Sequence, residues 1–508
     1  MSGKNCLAFD LGASNGRAIL GNFNGKKLIL KELHRFINEP IHVQTDLYWN
    51  ILGLYNECYS VLKNYSAMQY GVLSSVGFDS WGTDYGLIDK NNKLISNPRH
   101  YRDQRTNGII EISNEFMCEK DVFFNTGNIP HPFNTVYQLL ATKLYDSAQL
   151  EIADTLLLIP DLIAFFFTGV KSGEFTNVTT TQLTDTTQKS WNSLIAHNLG
   201  LPTNILPPIQ MPGSAKGTFV KNLNFTHLSD AVVTATATHD TACAVAAIAN
   251  FDEDSVYVSS GTWSLIGTET NSPVINEDVY DLGFSNEGGV CNKNTLFKQT
   301  MGMWVFQQCM KKWHADGENY NYEDIIGKAE YSEPFMSFID TDNQSFILPG
   351  DMPQKIINYI KSTQQEIPQS PTHMVRIIME SLALRYRFCI NNLEAIQGEK
   401  YSKIHVVGGG SKNRLLNQFI ANALNLPVYS GPSEATSIGN IMVQFMALGE
   451  IKNLKEIRQV VSNSFVQEIF EPADTQIWED AYIKYENIII NKKECLLDTT
   501  YINIGGKT

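Results

Sequence analysis

A histidine and an aspartate stand together in a run of very small residues. Residues 235–244 read ATATHDTACA, so His239 and Asp240 are surrounded by alanine, threonine and one cysteine. Small side chains leave room for a ligand, and an aspartate with an ordinary pKa of about 3.9 is ionised at neutral pH and can accept a proton. The pattern also fits a helix start, with Asp240 as the N-cap and Thr241 as the first helical residue. From these residues alone, Asp240 is either a general base or a cap, and His239 is either a catalyst or a structural histidine.

Three glycine-containing turns could hold phosphate or a nucleoside. The first, DLGASNGR (residues 10–17), can cradle phosphate with backbone N–H groups, and Asp10 at the end of a buried strand can hold a metal ion through water. The second, SSGTWSL (259–265), repeats the pattern. The third, VVGGGSKN (406–413), allows a flat ligand such as a nucleoside to approach the backbone closely. Each is also interpretable as a plain tight turn, and none matches the dinucleotide or Walker fingerprint.

A fourth stretch combines an aromatic ring, carboxylates and glycine. FDSWGTDYGLID crowds Asp79, Trp81 and Asp84 onto a predicted strand and turn. A sugar needs an apolar surface for its ring face and acceptors for its hydroxyls, so this composition suits a sugar site. The alternative is a half-exposed strand with solvated carboxylates. The stretch that follows, RHYRDQRTN (99–107), is interpreted as a charged surface loop.

The composition limits the class of protein. The chain has 508 residues, 43% hydrophobic and 18% charged, with a net charge of −14, which predicts a folded protein of two domains and argues against a nucleic-acid or anionic-membrane surface. No signal peptide is predicted, and the most apolar stretch, TLLLIPDLIAFFFTGV, is interrupted by Pro160 and Asp161 and is interpreted as a buried helix. The eight cysteines lack zinc-site spacing, which favours free thiols in the cytoplasm.

The elements that must position these motifs occur twice. CLAFD, the turn LGASNG and RAILGNF predict strand, turn, strand, and Asn24-Gly25 predicts a hairpin to a third strand. SVYVSSGTWSLIGTET repeats strand, turn, strand near the middle of the chain. A long helix is predicted from Pro371 to Gly398, followed by a strand, the triple-glycine turn and a second helix. The repetition predicts an internal duplication, with domains at 1–248 and 249–508.

Taken together and in order, the motifs resemble those of the FGGY carbohydrate kinases, in the superfamily of sugar kinases, Hsp70 and actin. The resemblance rests on DLGASNGR, SWGTDY, ATATHDTACAV, SSGTWSL and VVGGGSKN and extends nearly end to end. It implies an α/β fold of two actin-like, ribonuclease-H-like ATPase domains flanking a central cleft. Residues 1–248 would carry the sugar site, first phosphate loop and catalytic base, and residues 249–508 the ATP site.

The resemblance also implies roles for particular residues. Asp240 would be the proton acceptor, and Asp10 would hold Mg²⁺ through water. The implied ATP contacts are Ala13, Ser14, Asn15, Gly16, Arg17, Thr262, Gln307, Gly408, Gly409 and Gly410. The implied sugar contacts are Gly82, His239, Asp240, Thr241 and Gln299. Two positions depart from the family pattern: Gln299 stands where an asparagine is expected, and Gln138 stands where the general signature has lysine.

The implied activity is ATP-dependent phosphorylation of a small ketose. DLGASNGR, YRDQRTNG and TNVTTTQL are most similar to the branch acting on L-rhamnulose, which implies L-rhamnulose 1-phosphate as the product and a place in L-rhamnose catabolism. Another ketose, such as L-fuculose or L-xylulose, is the first alternative, and a non-catalytic actin- or Hsp70-like ATP-binding protein is the second. ATP and the ketose are the expected partners of a cytoplasmic monomer or homodimer.

Overall fold

A computed structural model describes residues 3–68, 70–225 and 228–499. Its strands are β1 (Lys4–Leu11), β2 (Asn15–Phe23), β3 (Leu28–Ile37), β4 (Ile41–Val43), β5 (Asp46–Tyr48), β6 (Leu73–Ser80), β7 (Tyr85–Asp89), β8 (Ala153–Leu158), β9 (Gly173–Glu174), β10 (Thr184–Asp185), β11 (Ser190–Trp191), β12 (Ile209–Gln210), β13 (Ser214–Thr218), β14 (Val232–Ala235), β15 (Ser255–Ser260), β16 (Trp263–Thr270), β17 (Ser285–Gly288), β18 (Asn294–Met301), β19 (Lys403–Val407), β20 (Val428–Ser430) and β21 (Glu468–Phe470). Its α-helices are α1 (Ile51–Asn64), α2 (Ile109–Asn114), α3 (Glu119–Thr126), α4 (Thr135–Tyr145), α5 (Ser147–Ile152), α6 (Ile159–Thr168), α7 (Phe175–Val178), α8 (Ser193–Asn198), α9 (Asp240–Ala246), α10 (Glu277–Asp281), α11 (Trp304–Ala315), α12 (Tyr322–Ala329), α13 (Met352–Ser362), α14 (Pro371–Gln397), α15 (Arg414–Leu424), α16 (Ala435–Ala447), α17 (Leu454–Ser464) and α18 (Thr475–Thr499).

Two mixed sheets repeat one pairing pattern. The first has six strands in the order β13-β14-β6-β1-β2-β3, and the second has seven in the order β17-β18-β16-β15-β19-β20-β21. In the first, β1 is antiparallel to β2 and parallel to β6, which is parallel to β14. In the second, β15 is antiparallel to β16 and parallel to β19, which is parallel to β20. The predicted internal duplication is therefore present in the strand pairing.

The chain forms two units, each from non-contiguous segments. The first unit consists of Met1–Phe251, Thr268–Phe297 and Glu434–Val466. The second consists of Asp252–Gly267, Lys298–Ser433 and Gln467–Thr508. Helices α16 and α17 therefore complete the first unit although more than a hundred residues of the second unit precede them in the chain.

Local sequence signals explain several element boundaries. The turn between β2 and β3 closes with a bond from the Asn24 N–H to the Lys27 carbonyl, and Gly25 has φ +88°, a region that glycine adopts without strain. Helix α14 begins with Pro371 after the N-cap Ser370 and ends before Gly398, which has φ +70°. These features confirm the predicted hairpin and long helix.

One predicted helix is only half helical. The stretch TLLLIPDLIAFFFTGV forms strand β8 and then helix α6, with Pro160 in the first turn of the helix. β8 pairs antiparallel with β7, with Leu158 opposite Tyr85. A continuous apolar run can be a buried strand or a buried helix, and here a neighbouring strand satisfies the backbone of its first part.

Two hydrophobic cores lie among the described residues of the first unit. One lies against β1 and β6, where the rings of Phe9 and Phe78 stack at 5.2 Å and Phe167 stacks on Phe78 at 5.5 Å. The other belongs to the segment inserted between β6 and β14 and includes the fully buried Val136 and Tyr137. The first core supports the ends of β1 and β6, where the predicted motifs lie.

The helices and the cysteines can be compared with the sequence analysis. Within the described residues, no helix is both long enough and apolar enough to cross a membrane. The cysteines whose side chains the structure describes are free thiols: Cys6, Cys58, Cys118, Cys243, Cys291, Cys309 and Cys389.

Candidate functional site

Two carboxylates lie side by side at the ends of neighbouring strands of the first unit. The parallel register of β1 and β6 pairs Asp10 with Asp79, and paired residues point to the same face of a sheet. Asp10 is 5% exposed and Asp79 is fully buried. Burial, followed by repulsion from the Asp10 carboxylate, raises the pKa of Asp79 well above its ordinary value. Such a pair needs hydrogen-bond donors or a cation beside it.

Helix α16 supplies donors to this pair. Ser437 Oγ donates to Asp10 Oδ2 at 3.2 Å, and Asn440 Nδ2 donates to Asp79 Oδ2 at 2.5 Å. Gln444 Nε2 donates to Asn440 Oδ1 at 2.7 Å, and Ser437, Asn440 and Gln444 form a polar row on one helix face. Sequence reasoning assigned these residues no role. Their spacing of three and four positions in an otherwise apolar helix is the signal that could have found them.

Arg17 lies against two carboxylates. It is opposite Asp10 in the antiparallel register of β1 and β2, and its Nη2 donates to Asp10 Oδ2 at 2.5 Å. Its Nη1 forms an ion pair with Glu434, the residue that precedes α16. The Asp10 and Glu434 carboxylates thus both contact the Arg17 guanidinium. The predicted contact of Arg17 with ATP stays a prediction.

The other residues of the first glycine turn form the tip of the β1–β2 hairpin. Ser14 and Asn15 are exposed. Asn38 holds the turn, since its N–H donates to the Ser14 carbonyl at 3.1 Å and its Nδ2 to the Gly12 carbonyl at 2.9 Å. A Cβ on Gly16 would lie 2.1 Å from the Phe36 ring, so a larger residue there would require this ring to move. The tip is therefore an exposed turn whose backbone is fixed by Asn38. Ala13 in this turn is partly buried.

The segment that carries His239 and Asp240 is held by a buried carboxyl group. The N–H and Oγ1 of Thr238 both donate to Glu174 Oε2, at 2.8 and 2.9 Å. The Ser80 N–H donates to the Thr238 carbonyl at 2.9 Å. Glu174 is fully buried, and burial raises its pKa to about 7. Sequence reasoning missed Glu174, and its contact with Thr238 has no local sequence signal.

Helix α9 begins one residue earlier than predicted. His239 is the N-cap, without a side-chain capping bond, and Asp240 is the first helical residue. The interpretation of Asp240 as the N-cap is therefore wrong, because the chain already enters helical geometry at Asp240. Its side chain remains 35% exposed and accepts a bond from Thr241 Oγ1 at 3.2 Å. Burial and the Asp10 carboxylate raise the pKa of Asp240, and His239 opposes them.

The imidazole of His239 has a carboxylate near each nitrogen. Nδ1 lies 2.9 Å from Glu287 Oε2, and Nε2 lies 3.5 Å from Asp240 Oδ1. Burial lowers the pKa of His239, but the Glu287 and Asp240 carboxylates outweigh it and raise the pKa to about 9. His239 is therefore an imidazolium at neutral pH. Glu287, on β17, is another residue to which sequence reasoning assigned no role.

Asp79 and Asp84 of the FDSWGTDYGLID stretch are buried, so their interpretation as solvated groups is wrong. Asp84 is fully buried and accepts bonds from Trp49 Nε1, Trp81 Nε1 and Gln138 Nε2, at 2.5, 2.9 and 2.8 Å. Burial raises the pKa of Asp84 to about 6 despite these donors. Gln138, in the place of the expected lysine, is thus a structural donor to a buried carboxyl group.

Gly82 marks a close approach within the same stretch. A Cβ there would lie 2.8 Å from the Thr180 side chain, whose Oγ1 accepts a bond from the Thr83 N–H at 2.9 Å. The predicted sugar contact at Gly82 stays a prediction.

The following arginine-rich stretch is not a free surface loop. Arg99, whose side chain is 12% exposed, forms ion pairs with Asp46 and Asp146 at 2.7 and 3.4 Å. Arg105 donates to Gln138 Oε1 at 2.9 Å. The partners come from segments that lie apart in the sequence, so the sequence alone could not reveal them.

In the second unit, two predicted ATP-binding segments lie together. Thr262 follows β15, and its Oγ1 is 3.3 Å from Gln307 Oε1 in the first turn of α11. The triple-glycine turn follows β19, the parallel neighbour of β15. It packs against Ser260, since a Cβ on Gly410 would lie 2.0 Å from the Ser260 Oγ. The structure therefore brings Thr262, Gln307 and this turn to the ends of two adjacent strands.

The three glycines of that turn differ in surroundings. Gly408 has φ +81° and a Cβ there would be 3.0 Å from the Ser260 carbonyl oxygen, so the fold itself requires Gly408 and Gly410. Gly409 is exposed, with no neighbour within 4 Å of an added Cβ, and leaves open space for a ligand. Gln299 lies half-buried on β18 in the second unit.

No group of three or more metal-ligating side chains with metal-binding geometry occurs among residues 3–68, 70–225 and 228–499. The residues present fit a hard divalent cation at a single carboxylate, that of Asp10, with its other ligands taken from water and phosphate. Asp79 Oδ1, which has no hydrogen-bond partner in the described part of the chain, adds a second buried oxygen beside Asp10.

The fold is that of the two-domain sugar kinases. A gluconate kinase from Lactobacillus acidophilus matches with a TM-score of 0.80 over 96% of this chain and 98% of that chain, at 17% sequence identity. At this identity the likeness concerns the fold alone, and it confirms the predicted α/β fold class.

Family models place the chain within that class. The N-terminal domain model of the FGGY family of carbohydrate kinases matches residues 5–247, and the C-terminal domain model matches residues 256–448. A rhamnulokinase from Bacteroides thetaiotaomicron is 39% identical over 96% of this chain and 99% of its own length. A rhamnulokinase from Oceanobacillus iheyensis is 38% identical over 90% and 96%. The chain belongs to the FGGY family of carbohydrate kinases.

Proposed function

We propose that this kinase transfers the γ-phosphoryl group of ATP to the 1-hydroxyl of L-rhamnulose and forms L-rhamnulose 1-phosphate, a step of L-rhamnose catabolism. Similarity to rhamnulokinases over nearly the whole chain supports the choice of ketose. The observation that carries the mechanism is the position of Asp240, a partly exposed carboxylate at the start of α9 with a cationic imidazole beside it.

Asp240 would act as the proton acceptor. The sugar oxygen forms a bond to the γ-phosphorus, the bond from that phosphorus to the β,γ-bridging oxygen breaks, and ADP leaves with the electron pair. The hydroxyl proton passes to Asp240. Phosphoryl transfer has a loose transition state, so the protein mainly positions the reactants and balances charge. Gly82, His239, Thr241 and Gln299 are the proposed sugar contacts.

Mg²⁺ would be held by Asp10 through water. When bound, the ion would neutralise charge on the phosphate oxygens. Asp10 offers a buried carboxylate at the end of β1, but Arg17 and Ser437 already contact its Oδ2, which supports indirect coordination. ATP would contact the first hairpin tip, Thr262, Gln307 and the triple-glycine turn.

The domain assignment belongs to the same proposal. Residues 1–248 would provide the sugar site, the first phosphate loop and the base, and residues 249–508 the ATP site. We place the enzyme in the cytoplasm as a monomer or homodimer, and the free thiols support that compartment.

A coupled ADP-release assay over a panel of ketoses tests the proposal. L-rhamnulose should give the highest kcat/KM, with L-fuculose and L-xylulose at least tenfold lower, about 1.4 kcal/mol in transition-state binding. Asp240→Asn should lose more than nine-tenths of kcat and still bind ATP. A preference for another ketose would overturn the substrate assignment, and an active Asp240→Asn variant would overturn the base.

A further inference from the structure

The starting observation is a row of three side chains in the first unit: Glu287, His239 and Asp240. Glu287 Oε2 lies 2.9 Å from His239 Nδ1, and His239 Nε2 lies 3.5 Å from Asp240 Oδ1. Exposure is confined mainly to one end of the row: the side chains of Glu287 and His239 are 11% and 10% exposed, and that of Asp240 is 35% exposed. Only the Asp240 end is open to a ligand.

Both ends of the contact between Glu287 and His239 are held by one segment of the chain. The His239 N–H donates to Thr176 Oγ1 at 3.3 Å, next to Glu174, which binds Thr238. On the other side, the N–H of Gly288 donates to Thr179 Oγ1 at 3.0 Å. The segment 174–179 thus positions the strand of Glu287 and the loop of His239 relative to each other.

The pairing of β17 restricts Glu287 further. Glu287 lies opposite Thr295 in the antiparallel register with β18. A Cβ on the next residue, Gly288, would lie 2.5 Å from the Phe175 ring, so the strand approaches this segment as closely as glycine allows. These contacts fix the strand that carries Glu287. Its carboxylate therefore has a defined position from which it can orient the imidazole.

We propose that Glu287 is a positioning residue for phosphoryl transfer: it orients the His239 ring and keeps both ring nitrogens protonated, so that Nε2–H faces the Asp240 carboxylate and holds it ionised and aimed at the sugar hydroxyl. The inference deepens the proposed function and rests on Asp240 as its base. A carboxylate at Nδ1 is a common way to set the protonation and orientation of a working histidine.

The charges around the two groups agree with this role. His239 is faced by Glu287 on β17, Asp240 on α9 and Glu174 before α7, and the pKa of His239 is raised to about 9. Asp240 is faced by His239 and by the carboxylates of Asp10 on β1 and Asp79 on β6. His239 is the cationic neighbour that opposes the rise in the pKa of Asp240.

The test compares Glu287→Gln with Glu287→Asp in steady-state kinetics from pH 6 to 10. Glu287→Gln keeps the shape of the side chain and removes its charge, and it should lower kcat at least tenfold. It should leave the KM for ATP within twofold and move the acidic limb of kcat/KM to higher pH. Glu287→Asp should recover part of kcat. Wild-type kcat and an unshifted limb in Glu287→Gln would overturn the proposal.

A direct measurement separates positioning from simple loss of fold. The His239 ring is titrated by NMR on histidine-labelled protein, with His239→Asn to assign its signal. Its pKa should fall from near 9 toward 6.5 in Glu287→Gln, and an unchanged pKa would overturn the proposal. The matched control is Glu277→Gln. Glu277 is an exposed residue of α10 that pairs with Lys120, and its substitution should change neither the kinetics nor the titration.

Asp240→Asn, measured in parallel, distinguishes the two levels of the argument. If Asp240→Asn is inactive and Glu287→Gln behaves as wild type, the positioning role of Glu287 is wrong and the proposed function stands. If Asp240→Asn keeps wild-type activity, the base assignment fails, and the positioning role of Glu287 fails with it.

Discussion

Four fully buried carboxyl groups of the first unit differ in their partners, and the partners decide what each group can do. Asp84 and Glu174 each accept bonds from several protein donors and hold neighbouring segments in place. Asp161 pairs with Lys216 at 2.8 Å, with both side chains almost fully buried. Asp79 keeps one oxygen without a protein partner in the described residues. The first three are structural, and only Asp79 has an oxygen left for another group.

The ion pair between His239 and Glu287 predicts a stability that depends on pH. The pKa of His239 rises from 6.5 to about 9 on folding, so the stabilisation from this pair is fully present below pH 6.5 and is lost as pH rises through 9. The shift corresponds to roughly 3 kcal/mol in the free energy of unfolding. Urea unfolding of wild type and Glu287→Gln should differ most near pH 6 and least above pH 9.5. A difference independent of pH would contradict this prediction.

Asp10 predicts a change in metal dependence. Asp10→Asn keeps the size of the side chain but removes its charge, so the concentration of Mg²⁺ that gives half-maximal rate should rise about tenfold. Initial rates at saturating ATP and ketose over a Mg²⁺ series measure it. Asp278→Asn, at an exposed position on α10, is the control and should leave the curve unchanged. An unshifted curve for Asp10→Asn would remove Asp10 from the metal site.

At the scale of elements, α16 connects the carboxylate pair to the helix that begins with Asp240. Its polar row contacts Asp10 and Asp79, and its Gly439 approaches the backbone of α9. A Cβ on Gly439 would lie 1.9 Å from the Cys243 carbonyl oxygen. Backbone atoms cannot rotate away as a flexible side chain can, so the distance between α9 and α16 depends on this glycine.

Gly439→Ala should therefore force the two helices apart. We expect a loss of about 1–3 kcal/mol in the free energy of unfolding, as for other overpacked sites, and a lower kcat because Asp240 begins α9. The matched control is Gly327→Ala in α12, where nothing lies within 4 Å of an added Cβ. It should stabilise by up to about 1 kcal/mol through helix propensity. Urea unfolding measures the stability of both variants. Equal stability of Gly439→Ala and the wild type would contradict the close approach of the two helices.

At the scale of the whole molecule, the first unit depends on a segment far along the chain. Glu434–Val466 belongs to it and brings α16 and α17. The Phe445 ring packs on Phe23 at 5.1 Å, and Ile441 fills the space beside Gly21. Without this segment, β1 and β2 would expose the apolar surface that α16 covers.

A fragment ending at Phe297 tests this dependence. It contains every segment of the first unit except Glu434–Val466, and it should aggregate or unfold without a cooperative transition. Fusing Glu434–Val466 to it through a glycine-serine linker should restore cooperative thermal unfolding, measured by circular dichroism. Cooperative unfolding of the shorter fragment alone would contradict the prediction.

The sequence by itself determined the features that depend on neighbouring residues. The hairpin at Gly25, the limits of α14 and the two strand–turn–strand segments follow from turn, capping and periodicity rules that act over a few positions. The order of short motifs was sufficient to predict the family. One error was local: Asp240 lies inside the helix because caps cannot be placed to a single residue from pattern alone.

Only the tertiary structure decided which groups meet. Asn440 and Asp79 lie 361 positions apart in the chain, and Ser437 and Asp10 lie 427 apart. No local rule links such residues, because their contact depends on how the helices and strands pack. For the same reason the buried state of Asp84 could not be predicted: its partners come from three other segments. The sequence predicted Asp240 as the proton acceptor, and the fold determined which groups surround it.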